Sequence, residues 1–202
     1  GAIDASINAF AAARFTPRLI TWLHACWGLG AMIGPLVMTA VIASGHGWRR
    51  GYLLLAASLL GMAACFQLTL GLWEVPAARA GAATAGSVAG RLRDALHEPR
   101  VRANALVFFL YTGVEASAGQ WAFSLLTESR GMPAAAAGLA ASTYWGSIFV
   151  GRLAFGAVAH HVAPPTLLRI GMAGAPLAAL VVCLTRSGAG ASAGLFALGL
   201  LL

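Results

Sequence analysis

The sequence predicts an all-α, polytopic membrane helix bundle, and three observations support this fold class. Of its 202 residues, 59% are hydrophobic and only 9% are charged, whereas a soluble domain has roughly 25% charged residues. Apolar runs of the length that spans a bilayer as a helix recur along the chain. Glu115 lies inside one such run, and a carboxylate at membrane depth typically marks a substrate, ion or proton path.

The apolar runs predict five complete spanning helices and a partial one at each end. Helices are expected because lipid cannot satisfy the polar groups of an open backbone. The chain starts without Met and ends inside an apolar run, so we expect it to be a piece of a longer protein. In chain order the predicted helices are Gly1–Ala13, Leu19–Ala43, Gly51–Leu72, Ala103–Leu126, Pro133–Val158, Leu167–Leu184 and Ala191–Leu202.

A polar, Gly/Ala-rich stretch predicts the domain boundary. We expect residues 1–72 to form the end of an N-terminal transmembrane bundle, 73–102 a linker, and 103–202 a truncated C-terminal bundle. The arginines of alternate connections are unequally shared, and the richer side is expected in the cytoplasm of a protein of the cell (inner) membrane. This side, which includes the linker, holds Arg14, Arg18, Arg79, Arg91, Arg93, Arg100, Arg102, Arg152 and Arg169. The other side holds Arg49, Arg50, Arg130 and Arg186.

One face of the predicted helix 103–126 is polar. Asn104, Tyr111 and Glu115 follow one another at intervals of seven and four residues, which place side chains on the same helix face. We interpret this face as a substrate or proton site, and a structural polar contact between helices is the alternative. Gln120 lies on roughly the opposite face, where we expect it to contact a neighbouring helix.

Polar residues concentrate in the first, second, fourth and fifth predicted helices. Asp4 and Asn8 share a face of the first, and His24 lies near the start of the second. Histidine changes charge near physiological pH and suits a proton-linked group, while an interfacial histidine without such a role is the alternative. We expect these four helices to line a cavity, and the third and sixth to face lipid.

Three glycines and a proline lie inside the second predicted helix. Gly28, Gly30 and Gly34 permit close approach of another backbone, and Pro35 is able to kink the helix. These residues have two interpretations, close packing against another helix and a role in gating.

The residues indicate neither an enzyme nor a metal site. The cysteines Cys26, Cys65 and Cys183 lie inside apolar runs without a CxxC pair, and the adjacent histidines at 160 and 161 lack further ligands. Nucleic acid is not an expected partner, because the arginines form no basic stripe with interleaved aromatic residues.

Several stretches together resemble the major facilitator superfamily. Asp4–Asn8 and Leu23–Pro35 resemble its fourth and fifth helices. Tyr111–Glu115, followed by Gln120 and Trp121, is similar to the Y-x-G-x-E…W seventh helix of the fucose–proton symporter-like sugar branch. Gly151–Gly156 resembles the loop motif between the eighth and ninth helices, although Ala154 and Phe155 stand near the position of its usual acidic residue.

The resemblance implies helices four to ten of a twelve-helix transporter that works by alternating access. The implied partners are a small-molecule substrate, the lipid bilayer and the remaining helices, with no cofactor other than a coupling ion, H⁺. Glu115 would bind substrate hydroxyls or take part in proton coupling, and Asp4 and Asn8 would act from the opposite bundle. Tyr111, Trp121 and Trp145 would stack on a sugar, and Gly151 and Arg152 would belong to a gate.

A drug or metabolite efflux antiporter of the same superfamily is the alternative function. Gly30-x-x-x-Gly34-Pro35 resembles the helix-five motif of drug–proton antiporters. The Gly-Gly pair that follows in that motif is absent here, since Met38 and Thr39 stand in its place.

Overall fold

The computed structural model describes residues 1–73, 88–158 and 161–202, and every regular element within these ranges is helical. This confirms the all-α fold class. A 3₁₀ turn spans Leu70–Leu72, and a π turn spans Leu125–Ser129. The helices are α1 (Ala2–Arg14), α2 (Pro17–Ala43), α3 (Trp48–Leu68), α4 (Val88–His97), α5 (Pro99–Ser124), α6 (Ala134–Val158), α7 (Pro164–Leu184) and α8 (Gly188–Leu201).

The predicted linker contains more helix than expected. α4 lies inside it, and α5 begins at Pro99, because proline is well suited to the first helical turn. Arg79, His160 and the side chains of Arg18 and Arg91 lie outside the described residues. The division of the chain into two bundles stays a prediction.

Among the described residues, three helices are long and apolar enough to cross a membrane: Leu19–Ala43, Trp48–Leu68 and Pro165–Leu184. α5 and α6, with 26 and 25 residues, are not among these three. At 1.5 Å per residue they nevertheless exceed the roughly 30 Å of a bilayer core. They are the helices that carry Glu115 and Arg152.

Helix α6 is at the centre of the packing. It lies along α2, and it also packs on α5 and α8, while α7 covers α8. The main core forms around Leu126, Tyr144, Ile148 and Leu195, which are almost completely buried. α3 is exposed over nearly its whole surface and buries only Gly51, and its position facing lipid stays a prediction.

The close approach of α2 to α6 depends on glycine. A Cβ atom added at Gly28 would lie 3.1 Å from the backbone nitrogen of Phe149, and Gly146 of α6 lies against Met32. Small residues at such crossings let two backbones come close enough for extensive dispersion contact. Gly30 and Gly34 have open space around them, so only Gly28 of the three packs on another described helix.

We predict that Gly28→Leu destabilises the protein and that Gly30→Leu does not. The leucine at position 28 must push α2 away from Phe149, and overpacking of this kind costs about 1–3 kcal/mol. Position 30 has no atom within 4 Å of an added Cβ, so the expected change there is within about 0.5 kcal/mol. Thermal unfolding of the full-length protein in detergent measures both. Equal losses for the two variants would contradict this helix crossing.

Candidate functional site

Glu115 lies on the buried face of α5. Glu115 is only 3% exposed, and Tyr111 precedes it by one helical turn on the same face. An unpaired carboxylate in such surroundings is strongly disfavoured. Glu115 therefore requires a cationic partner or a proton.

Arg152 of α6 is that partner. Its Nη2 atom donates to both carboxylate oxygens of Glu115, at 3.1 and 3.0 Å, and to the Tyr111 hydroxyl at 2.7 Å. Bonds between two ionised groups are roughly twice as strong as neutral ones. The pair is only partly open to the surroundings, with side-chain exposures of 19% for Arg152 and 4% for Glu115.

The same guanidinium also reaches α2. Nη1 of Arg152 donates to the main-chain carbonyl of His24 at 3.0 Å. Its Cζ atom lies 5.3 Å from the ring centroid of Trp27, within the range of a cation–π interaction. One side chain therefore joins α2, α5 and α6.

Three aromatic side chains lie beside this cluster: Tyr144 and Trp145 of α6 and Trp27 of α2. Tyr144 is fully buried and donates from its hydroxyl to the Glu115 carbonyl at 2.8 Å. The ring of Trp145 contacts the rings of Tyr144 and Trp27, with centroids 5.2 and 5.3 Å apart. The tyrosine bond fixes the main chain of α5 at Glu115, and the rings connect the charged cluster to a cavity further along.

The cavity, of about 550 Å³, lies between α2, α5 and α6. Its polar side chains are Thr39, Gln120 and the indole of Trp145, and none of its lining residues is charged. α1, which we expected to share this cavity, contributes none of the lining. The remaining lining residues are Pro35, Met38, Ile42, Ala43, Gly119, Phe123, Ala134, Ala135, Gly138 and Ala141.

The structure brings together only some of the residues predicted for the site. Glu115, Tyr111 and Arg152 form one cluster, which His24 joins through its carbonyl and not its imidazole. Gln120, Trp145 and Pro35 line the adjacent cavity.

Other predicted residues lie apart from the cluster. Asn8 donates to Asp4 at 3.2 Å, as expected for one face, but on α1 outside the cavity. Asn104 is exposed, and so is Trp121, at 68%. Substrate-binding roles for these four residues stay predictions.

Gly151–Gly156 is helical, as the predicted span Pro133–Val158 has it, and not the loop that the family motif implies. All six residues belong to α6, which continues to Val158, because nothing in this apolar stretch ends a helix. Gly151 packs against the backbone of Leu200 in α8, and Arg152 faces Glu115 instead of lying in a connection. One signal in the sequence could have identified this pair: an arginine in an apolar run needs an acidic partner, and Glu115 and Asp4 are the only carboxylates of the predicted spans.

We predict strong energetic coupling between Glu115 and Arg152. Either Glu115→Gln or Arg152→Gln leaves an uncompensated group in the cluster, whereas the double variant removes both charges. The unfolding free energies of the four proteins should give an interaction energy of about 1–3 kcal/mol. The matched control pairs Arg152→Gln with Glu128→Gln, an exposed carboxylate beyond the end of α5, and should be additive. Additivity for Glu115 and Arg152 would refute a direct interaction.

Comparison with known proteins identifies the family of this chain. The model of the family described as Major Facilitator Superfamily matches residues 1–202. Bypass of stop codon protein 6 of Saccharomyces cerevisiae (strain ATCC 204508 / S288c) is 35% identical over 65 residues, which cover 32% of this chain and 13% of that protein. No solved structure matches. The chain, a bundle of apolar helices around a buried ion pair, belongs to the Major Facilitator Superfamily of membrane transporters.

Proposed function

We propose that this chain is part of a secondary active transporter that works by alternating access and carries a sugar or similar small polar solute in symport with protons. The observation that supports this proposal most is the ion pair of Glu115 and Arg152, which also holds α2. We place the protein in the cell (inner) membrane as a multi-pass protein with 73–102 on the cytoplasmic side, because this linker belongs to the arginine-richer set of connections and such connections are usually cytoplasmic.

A proton would change the cluster through Glu115. Protonation removes the negative charge and so weakens both bonds from Arg152 to the carboxylate. The guanidinium then remains bonded to the Tyr111 hydroxyl and the His24 carbonyl, and stays close to the Trp27 ring. Loss of the charge on α5 therefore weakens the contact through which Arg152 joins α5 to α2.

The position of the cluster suits coupling to a conformational change. α2 belongs to the predicted N-terminal bundle, whereas α5 and α6 belong to the predicted C-terminal bundle. In transporters of this kind the two bundles rock about a central site. Glu115 is able to link proton binding to that motion, because its protonation alters a contact between the bundles. Substrate hydroxyls would compete for the hydrogen-bonding groups of Glu115 and Arg152.

We predict that Glu115→Gln abolishes uptake driven by a proton gradient while Glu128→Gln preserves it. Glutamine keeps the shape of the side chain but cannot gain or lose the proton, and Glu128 is an exposed carboxylate that is not part of the cluster. The measurement is uptake of a panel of labelled sugars by the full-length protein in proteoliposomes, with and without an inward proton gradient. Full gradient-driven uptake in Glu115→Gln would remove Glu115 from the coupling mechanism.

The cavity favours a second candidate, efflux of a drug or metabolite. Its walls are uncharged and mostly apolar, and such a lining binds apolar or amphipathic molecules better than it binds sugars. In this alternative the cluster would still supply the proton coupling, with the proton moving inward as the solute moves outward.

We predict for this second candidate that Ala135→Leu reduces resistance to bulky apolar compounds. Ala135 lines the cavity and is itself exposed, so leucine fills part of the space without disturbing the core. Growth of cells that express the full-length protein in a drug panel is the measurement, with Gly30→Leu, outside the cavity, as the control. Resistance conferred by the parent protein and unchanged in Ala135→Leu would exclude this cavity as the drug site.

A further inference from the structure

A second groove lies at the turn between α2 and α3, away from the ion pair. It has a volume of about 420 Å³ and is lined by Val41, His46, Arg50, Leu53 and Leu54. Leu53 and Leu54 are 68% and 50% exposed. The groove therefore combines apolar walls with a guanidinium and an imidazole.

The turn holds the histidine in a defined orientation. Gly45 adopts a φ of 77°, a left-handed conformation that favours glycine. The Ser44 hydroxyl donates to the Val41 carbonyl at 3.0 Å and contacts His46 Nδ1 at 2.9 Å. The Ser44 contact occupies Nδ1 in either tautomer, so Nε2 is the ring nitrogen left for a ligand.

The arginine of this groove has no acidic partner. The sequence contains no Asp or Glu between Asp4 and Glu74, so the α2–α3 hairpin is purely cationic. Within the described parts of the chain, the Arg50 guanidinium makes no hydrogen bond or ion pair. An acidic partner for Arg50 could therefore come only from outside the hairpin.

The neighbouring residues are typical of a membrane surface. Trp48 and Tyr52 pack edge to face with centroids 5.9 Å apart, and the Arg49 guanidinium lies 5.5 Å from the Trp48 ring. Tryptophan and tyrosine are enriched at the level of lipid head groups. The two adjacent arginines thus differ, because Arg49 is placed on an aromatic ring while Arg50 lines the groove.

We propose that this groove binds an anionic phospholipid of the leaflet that the α2–α3 turn meets. Arg50 binds the phosphate, with His46 beside it, and an acyl chain lies along Val41, Leu53 and Leu54. The planar guanidinium suits a phosphate, to which it donates two parallel bonds. The apolar walls favour a lipid over free phosphate, because a lipid has an acyl chain that covers these side chains and free phosphate does not.

The test is native mass spectrometry of the full-length protein with dioleoyl phosphatidylglycerol and, separately, dioleoyl phosphatidylcholine. The anionic lipid should bind in preference, and Arg50→Gln should weaken its binding about fivefold, as expected for the loss of one interfacial arginine. Arg49→Gln, with the same charge change one residue away, should have little effect. Val41→Phe fills the groove without a change of charge and should weaken binding of the same lipid.

Four results would overturn the proposal. Equal losses in Arg49→Gln and Arg50→Gln would indicate diffuse attraction to the charged turn. Displacement of the lipid by inorganic phosphate would indicate a free-phosphate site, and unchanged binding in Val41→Phe would place the acyl chain elsewhere. Both lipids carry a phosphodiester, so equal binding of the two would show that the net negative charge of the head group is not recognised. Circular dichroism of each variant checks that the helices are intact.

Discussion

The interaction on which the rest of this structure depends is the bond network of one guanidinium. Arg152 would be costly inside an apolar bundle on its own, and so would the nearly inaccessible carboxylate of Glu115. Together they satisfy each other, and the spare donor of Arg152 bonds to the carbonyl of His24 on another helix. Truncating either partner would leave the other charge uncompensated, which is why a buried pair of this kind constrains how its helices are arranged.

Packing around the ion pair also keeps α2, α5 and α6 close together. Gly28 lets α2 approach Phe149 closely enough for the His24 carbonyl to accept from Arg152. The bond from Tyr144 to the Glu115 carbonyl holds α5 against α6 at the level of the carboxylate. Helix association within lipid gains little from the hydrophobic effect, so small residues and polar contacts of this kind carry much of it. α3 also carries small residues, but it buries only Gly51 and is exposed over most of its surface.

Much of the fold could be predicted from sequence, because spanning helices follow from runs of apolar residues and from the backbone's need for internal hydrogen bonds. The site was predictable where it depends on one helix: Tyr111 and Glu115 share a face, as their spacing indicates. It was not predictable where it depends on two helices. Periodicity does not show that Arg152 faces Glu115, that His24 acts through its carbonyl, or that Trp121 is exposed while Trp145 lines the cavity. The family motif was misleading at Arg152, because it implied a loop, whereas the apolar run had correctly predicted a helix to Val158.

The central claim is that Arg152 holds α2 against α5 and α6, and one distance measurement tests it. Cys26 on α2 and Cys183 on α7 are both exposed, so both accept spin labels once Cys65 and every cysteine of the full-length protein outside this sequence are replaced by serine. Double electron–electron resonance on the full-length protein in lipid nanodiscs then reports the position of α2 relative to the C-terminal helices. We expect Arg152→Gln to broaden the distance distribution or to add a second population. An unchanged distribution in Arg152→Gln would contradict the account.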